Sequence, residues 1–179
     1  MNFKTISIIK FPVDTAWNTM LHQLPAIAID VDDLESITEK ERMIFPDGKI
    51  KVVNIWKAKP KFPAIVAKYI NPDMLAWTDT AIWNEREKAI EWKIRSHHFH
   101  EEMHCAGTTV FETAMGGKGC RLTFSGSIEW RGKVLSLNLG VLDSTIAKAV
   151  EGVLTQMIPS NFRKITEVMS KYIEKKQNV

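Results

Sequence analysis

The stretch from residue 88 to residue 113, KAIEWKIRSHHFHEEMHCAGTTVFET, decides how the whole chain folds. It contains an HExxH pattern, whose two histidines are His100 and His104. On a helix, the two histidines of this pattern share one face and hold the zinc ion of a metallopeptidase. The interpretation of the chain therefore depends on whether this segment is helical or extended.

The residues on both sides of the HExxH pattern favour strands. Before it, Ile90, Trp92 and Ile94 alternate with charged residues, which is typical of a half-buried strand. After it, residues 106–113 (AGTTVFET) are rich in β-branched side chains, which suit strands better than helices. In an extended chain the two histidines lie roughly 13 Å apart, at about 3.3 Å per residue, and cannot share one ion. We therefore expect two strands here and rank a zinc peptidase low.

Neighbouring segments extend the period-two pattern into hairpins. A turn signal, Pro46-Asp47-Gly48, separates two such runs, and a glycine-rich stretch at 115–119 separates two more. The predicted strands cover residues 3–11, 34–45, 49–59, 75–83, 88–96, 103–113 and 120–130. A helix is predicted from Val13 to Leu24, with Asp14 as its cap and Pro25 as its end. A second, long helix is predicted from about residue 141, kinked or split at Pro159.

These elements predict an α+β fold in a single domain, residues 1–179. Consecutive hairpins build a curved antiparallel sheet of about seven strands, with one or two short helices after the first strand. The long C-terminal helix carries an apolar stripe that must be covered. A sheet wrapped around that helix covers the stripe and the apolar face of each strand.

Composition narrows the class of protein. The chain has 179 residues, 45% of them hydrophobic and 25% charged, as expected for one globular domain. A net charge of +3 is too small to indicate nucleic-acid binding. The two cysteines form no spaced framework, which suits a reducing compartment. We see neither a signal peptide nor an apolar run long enough to cross a membrane, and expect a cytoplasmic protein.

Several segments resemble the START-like (SRPBCC, helix-grip) superfamily. FPVDTAWNTML (11–21) resembles the beginning of such domains, with Trp17 early in the helix. IWKAKPKFPAIVAKYI (55–70), WTDTAIWNEREKAIEWKIRSHH (77–98) and GSIEWRGKVLSLNLGVLDSTIAKAVEG (126–152) are most similar in layout to the PRELI branch of lipid-transfer proteins. The resemblance implies a cavity between sheet and C-terminal helix that holds a hydrophobic small molecule or lipid. It supplies no phosphate-binding residues, so a phospholipid specificity is not carried over.

Candidate ligand-binding residues are those expected on the inner face of the sheet or helix. Large aromatic side chains there either line such a pocket or fill the core, and both alternatives stay open. The carboxylate of Asp79 shares a face with Trp77 and Trp83 in one register and faces outward in the other. The candidate set is Asn54, Trp56, Trp77, Asp79, Trp83, Trp92, Met103, Phe111, Phe124, Ile128, Trp130, Val150, Leu154 and Met157.

The loop from residue 62 to residue 70 (FPAIVAKYI) is apolar and lies between prolines. In the resembled fold a loop at this location covers the cavity mouth. We therefore expect a lid formed by Phe62, Ile65, Val66 and Tyr69; the alternative is that the loop simply packs against the terminal helix. A group of lysines either forms a solvated strand face or makes transient contact with an anionic membrane; its members are at positions 49, 51, 57, 59 and 61.

The predicted function is non-enzymatic binding or transport of a hydrophobic small molecule or lipid, without cofactor or metal. A cyclase- or dehydratase-type enzyme is the alternative, with Asp79 and a histidine of the 97–104 cluster as an acid–base pair. A zinc peptidase is the third hypothesis and a protein-interaction module the fourth. Adventitious binding of a metal ion by the closely spaced His97, His98 and His100 is a minor hypothesis.

Overall fold

The structure is a computed structural model that describes residues 1–59, 75–98, 101, 103–130 and 144–177. Within this part, seven strands form one antiparallel sheet, and two helices pack on it. The helices are α1 (Val13–Ala28) and α2 (Ser144–Gln177). The strands are β1 (Asn2–Ile9), β2 (Leu34–Ile44), β3 (Ile50–Ala58), β4 (Ala76–Asn84), β5 (Ala89–Ser96), β6 (Met103–Ala114) and β7 (Gly119–Trp130).

The strand order is β1-β7-β6-β5-β4-β3-β2. Strands β2 to β7 follow one another as neighbours, so the hairpins predicted from the sequence are confirmed. At the first hairpin Gly48 has φ = +84°, a conformation that glycine adopts without strain, and Phe45 N–H donates to Lys49 O at 2.8 Å. Strand β1 pairs with β7, so α1 carries the chain from one edge of the sheet to the other.

Helix α1 runs through Pro25, so the prediction that Pro25 ends it is wrong. Proline has no N–H, and the carbonyl of Leu21 therefore loses its usual helical donor. Arg42 on β2 supplies a replacement, because its Nη2 donates to Leu21 O at 2.8 Å. The predicted Asp14 cap is also wrong: Pro12 precedes the helix, and Asp14 lies in its first turn, paired with Lys88 Nζ at 2.8 Å.

Helix α2 is continuous from Ser144 to Gln177 and includes Pro159, so the proline does not split it. The helix packs against β1, β7 and α1. Thr166 donates a hydrogen bond to Ser7 Oγ on β1, and Tyr172 donates one to Gln23 Oε1 on α1, both at 2.8 Å. These contacts hold the helix across the concave face of the sheet.

A pair of glycines shapes the middle of the sheet. Gly107 on β6 lies directly opposite Gly126 on β7, and the indole of Trp92 on β5 lies over both. A β-carbon at Gly107 would lie 2.5 Å from Trp92 Cζ2 and would overlap the carbonyl oxygen of Ser125. Side chains are therefore excluded at this point, and the position of Trp92 against the sheet is fixed.

Candidate ligand-binding cavity

A cavity lies between the inner face of the sheet and both helices. About 80 Å³ of it is open to the centre of a water molecule; one water needs roughly 10–15 Å³ on that measure, so the space corresponds to about six waters. Its walls are mostly apolar. The described residues that line it are Met20, Leu24, Trp56, Trp77, Asp79, Ala81, Trp83, Ile90, Trp92, Ile94, Thr109, Phe124, Ile158, Asn161, Phe162 and Ile165.

Six residues predicted from the sequence meet in this wall: Trp56, Trp77, Asp79, Trp83, Trp92 and Phe124. Period-two spacing found them because β3, β4, β5 and β7 turn alternate residues toward the helices. Asp79 lies on the inner face, which resolves the alternative that the sequence left open. Asn54 is buried directly opposite Asp79 on β3, beside the lining rather than in it.

The remaining predicted contacts are not among the described lining residues. Met103, Phe111 and Ile128 are buried core residues, and Met157 is half-buried on α2. Trp130 is half-buried, and its indole N–H donates to Thr155 Oγ1 on α2 at 3.0 Å. Val150 and Leu154 belong to α2, but their side chains are outside the described part. Ligand contacts at these positions remain predictions.

Sequence reasoning missed ten of the described lining residues, among them Asn161, Ala81 and the two residues that α1 contributes, Met20 and Leu24. Signals for Ala81 and Asn161 existed. Ala81 lies between Asp79 and Trp83 with the period of the strand. Asn161 is a polar residue within the apolar stripe of α2, three residues after Ile158 and four before Ile165, and it is 4% exposed.

The aromatic side chains of the wall pack face to face with one another. Trp56 and Trp77 lie opposite each other on β3 and β4 and stack with centroids 5.7 Å apart. On the other side Trp92, Phe124 and Phe162 form a column whose successive centroids are 4.7 and 4.1 Å apart. Contacts of this kind hold each ring in one orientation. The wall therefore has a fixed shape.

Asp79 is the one ionisable residue among the described lining side chains, and as a whole residue it is half-buried. Loss of solvation in these apolar surroundings raises the pKa of Asp79 to about 7. The nearby Trp56 indole N–H lowers that pKa in part, although it makes no hydrogen bond of regular geometry. Near neutral pH the neutral and the charged form of the Asp79 carboxyl are therefore both populated.

Four buried N–H groups of the lining have no acceptor among the described residues. They are the indole Nε1 groups of Trp56, Trp83 and Trp92 and the Nδ2 amide of Asn161. A buried donor without a partner costs about 1–3 kcal/mol. The lining residues thus contain N–H groups without a partner, but these groups are buried, and the surface that faces the cavity is mostly apolar.

The HExxH pattern does not form a zinc-binding helix. His104 lies in β6 and is exposed, and Glu101 lies in a turn; His100 and Glu102 are outside the described residues. Within the described residues there is no group of three His, Cys, Asp or Glu side chains that could hold a metal. The prediction of a strand at this point is confirmed.

The histidine cluster does not reach the cavity where it is described. His97 is exposed, and its Nε2 contacts Thr78 Oγ1 at 2.8 Å; His98 is exposed as well. The residues that line the cavity in the described part include no histidine. The acid–base pair proposed for Asp79 with a described histidine is therefore not formed.

The predicted lid, with Phe62, Ile65, Val66 and Tyr69, lies outside the described residues, as does Lys61. Two lysines of the basic group are paired: Lys49 Nζ lies 3.5 Å from Asp47, and Lys51 Nζ lies 2.9 Å from Glu41. No helix in the described ranges is both long and apolar enough to pass through a bilayer.

Comparison with known proteins confirms the fold. No protein-family model matches the sequence, and no curated protein matches it significantly. The solved structure of the Zhui aromatase/cyclase from Streptomyces sp. R1128 is similar, with a TM-score of 0.66 and 15% identity over 97% of this chain and 95% of that one. The protein TTHA0849 from Thermus thermophilus has a TM-score of 0.65 and 11% identity over 96% and 95%.

Norcoclaurine synthase from Thalictrum flavum, solved in complex with dopamine and hydroxybenzaldehyde, has a TM-score of 0.58 and 11% identity over 97% of this chain and 87% of that one. These proteins share the helix-grip architecture of a curved antiparallel sheet with a long C-terminal helix. The chain has the helix-grip fold. At this identity the likeness extends to the fold alone, and the resemblance to the PRELI branch gains no support from it.

Proposed function

We propose that the protein binds a small hydrophobic molecule in the cavity and carries it without changing it chemically. The observation that carries this proposal is the cavity itself, which lies between the sheet and α2 and is lined almost entirely by aromatic and aliphatic side chains. Pockets of this kind, apolar with a few placed polar groups, are the usual sites of small-molecule binding.

The size of the cavity favours a small ligand. About 80 Å³ is open within the described walls, whereas an engineered protein cavity of about 150 Å³ holds benzene. A single planar ring therefore requires a modest outward shift of the wall. A two-chain phospholipid requires a much larger opening. Phospholipid transfer, which the resemblance to PRELI proteins implies, is for this reason ranked below binding of a small molecule.

Asp79 supports a second candidate function, an enzyme of the cyclase or dehydratase type. A carboxyl whose pKa lies at about 7 gains and loses a proton near neutral pH, as a general acid or base must. In this alternative Asp79 transfers the proton, and the lining N–H groups stabilise negative charge on a substrate oxygen. An Asp79→Asn variant then retains the ligand but converts none of it, whereas a carrier leaves the ligand unchanged with either residue.

Native mass spectrometry of the protein purified from its own cells tests the proposed function. We expect one bound small molecule per chain. Ala81 is buried in the cavity wall, so Ala81→Leu places three more carbon atoms in the cavity and should abolish the bound species. Ala106 is exposed on the outer face of β6, and Ala106→Leu is the matched control that should retain it.

A folded Ala81→Leu protein that keeps the full amount of ligand contradicts binding in this cavity. A bound species with the mass of a phospholipid would instead support the lipid-transfer activity. The mass therefore separates the two ligand classes, and the variant locates the site.

A further inference from the structure

We propose that the ligand of this cavity is a hydrophobic amine, whose protonated nitrogen pairs with the carboxylate of Asp79. This inference rests on the proposed function and specifies the chemical class of the ligand. It follows from one acidic side chain in an otherwise apolar wall, to which no described residue supplies a positive charge.

The Asp79 side chain is placed where a ligand can reach it. Asp79 lies on the inner face of β4, which is paired on one side with β3 and on the other with β5. The other polar lining residues, Thr109 and Asn161, are 3% and 4% exposed, whereas Asp79 is half-buried and keeps more accessible surface. Its neighbour on the same face, Ala81, has the smallest side chain of the described lining, so the space beside Asp79 is not filled from that position.

No described residue provides a counter-charge for Asp79. The described lining includes no lysine, arginine or histidine. Burial raises the pKa of Asp79, and among the described residues only the Trp56 indole N–H opposes this effect. A carboxylate in apolar surroundings is costly unless a cation pairs with it. A wall that only fills space needs no acidic side chain, so Asp79 is better explained by a cation that arrives with the ligand.

Other ligand classes fit this wall less well. The charged form of Asp79 repels a carboxylate or phosphate, and the described wall has no basic side chain to offset the repulsion. A neutral acceptor oxygen gains a hydrogen bond only from the protonated carboxyl, which is lost above about pH 7. An ammonium group brings N–H donors that a carboxylate accepts in strong, charge-assisted hydrogen bonds. The aromatic and aliphatic remainder of the wall suits the hydrophobic part of an amine.

The affinity for an amine depends on pH through Asp79. Neither the helices nor the strands contribute another titratable side chain to the described lining. Cys105 on β6 interacts with Asp79, but burial raises the pKa of Cys105 to about 12, so this thiol stays neutral. Below about pH 7 the Asp79 carboxyl is protonated and the ammonium group loses its partner. Affinity should therefore fall as the pH falls.

Benzylamine and benzyl alcohol test this inference, because they have similar shapes and differ in carrying an ammonium or a hydroxyl group. The cost of desolvation alone favours benzyl alcohol, which has no charge. We expect titration calorimetry at pH 8 to show about tenfold tighter binding of benzylamine, and the affinity for benzylamine to fall about tenfold or more at pH 5.

The outcomes separate this inference from the proposed function. If benzyl alcohol binds as tightly as benzylamine or more tightly, the inference is overturned and the proposed function stands. A co-purified ligand whose elemental formula contains no nitrogen has the same consequence. If neither probe binds, the inference fails, and native mass spectrometry of the co-purified ligand decides the proposed function separately.

A variant locates the charge. Asp79→Asn keeps the size of the side chain, so benzylamine affinity at pH 8 should fall about tenfold and no longer change between pH 5 and pH 8, while benzyl alcohol affinity stays within about twofold. Glu91→Gln, at an exposed position on β5, is the matched control and should change neither affinity. An Asp79→Asn protein that binds benzylamine as tightly as the natural protein would overturn the inference.

Discussion

Replacing Asp79 with asparagine should make the protein more stable at neutral and alkaline pH. The asparagine side chain has nearly the same size, so the wall keeps its shape, and only the charge is removed. Because the pKa of Asp79 rises from 3.8 to about 7 on folding, the folded protein retains a proton that the unfolded chain releases. The difference of about 3 pH units corresponds to about 4 kcal/mol, at about 1.4 kcal/mol per unit.

The sign follows from proton binding. Below about pH 4 the Asp79 carboxyl is protonated in both the folded and the unfolded state. Folding then buries no charge at this position, and the protein is at its most stable with respect to Asp79. Between about pH 4 and pH 7 the unfolded chain has lost this proton and the folded protein has not, so stability falls as pH rises. Above about pH 7 the carboxylate is charged in both states, and the whole penalty for burying it is present. Asp79→Asn removes this dependence.

Urea denaturation from pH 4 to pH 8.5, followed by tryptophan fluorescence, measures the effect. The variant and the natural protein should have similar unfolding free energies near pH 4, and the variant should gain progressively to about 4 kcal/mol at pH 8. Asp30→Asn, at an exposed position between α1 and β2, is the control. A difference that is constant across this pH range, or that favours the natural protein at high pH, would refute the reasoning.

Two further predictions concern the fold that positions the cavity. Gly107→Ala should destabilise the protein by about 3 kcal/mol or more, because the added methyl group meets Trp92 and the Ser125 carbonyl. Gly152 lies in open space on α2, so Gly152→Ala should be neutral or slightly stabilising. Urea denaturation of the two variants measures the difference. Arg42→Met should lower the free energy of unfolding by about 1–3 kcal/mol, because it leaves the Leu21 carbonyl without its donor. When Pro25→Ala is added to this variant, part of the loss should be recovered, because residue 25 then has an N–H that can donate to Leu21 O. Equal losses with and without Pro25 would contradict that account.

Local patterns in the sequence predict most of the fold. Alternation of apolar and charged residues identifies each strand, and it is the reason why Trp56, Trp83 and Trp92 were expected on the inner face, where the structure places them. In the pairing of β3 with β4, Asp79 lies opposite the buried Asn54, on the inner face. Sequence periodicity alone left that choice open, because a shift of one residue reverses every side chain of a strand.

The errors arise where distant residues act together. Pro25 ends a helix by local rules, but Arg42, which is far from it along the chain, satisfies the freed carbonyl. Met20 and Leu24 are apolar residues of an amphipathic helix, and nothing local shows that their part of the helix faces a cavity. Asn161 belongs to the site because of the crossing of α2 over the sheet, and that crossing depends on packing between elements distant in sequence.

The indole N–H signals of the six tryptophans provide the most direct test of the central claim, that a small hydrophobic ligand occupies the cavity between sheet and α2. In a ¹H–¹⁵N correlation spectrum with assigned indole signals, addition of acetophenone, a small aromatic probe, should shift those of Trp56, Trp77, Trp83 and Trp92, which line the cavity. The signal of Trp130, whose N–H is bonded to Thr155, should move little. Shifts confined to Trp130, or no saturable shift of the four cavity signals, would contradict the account.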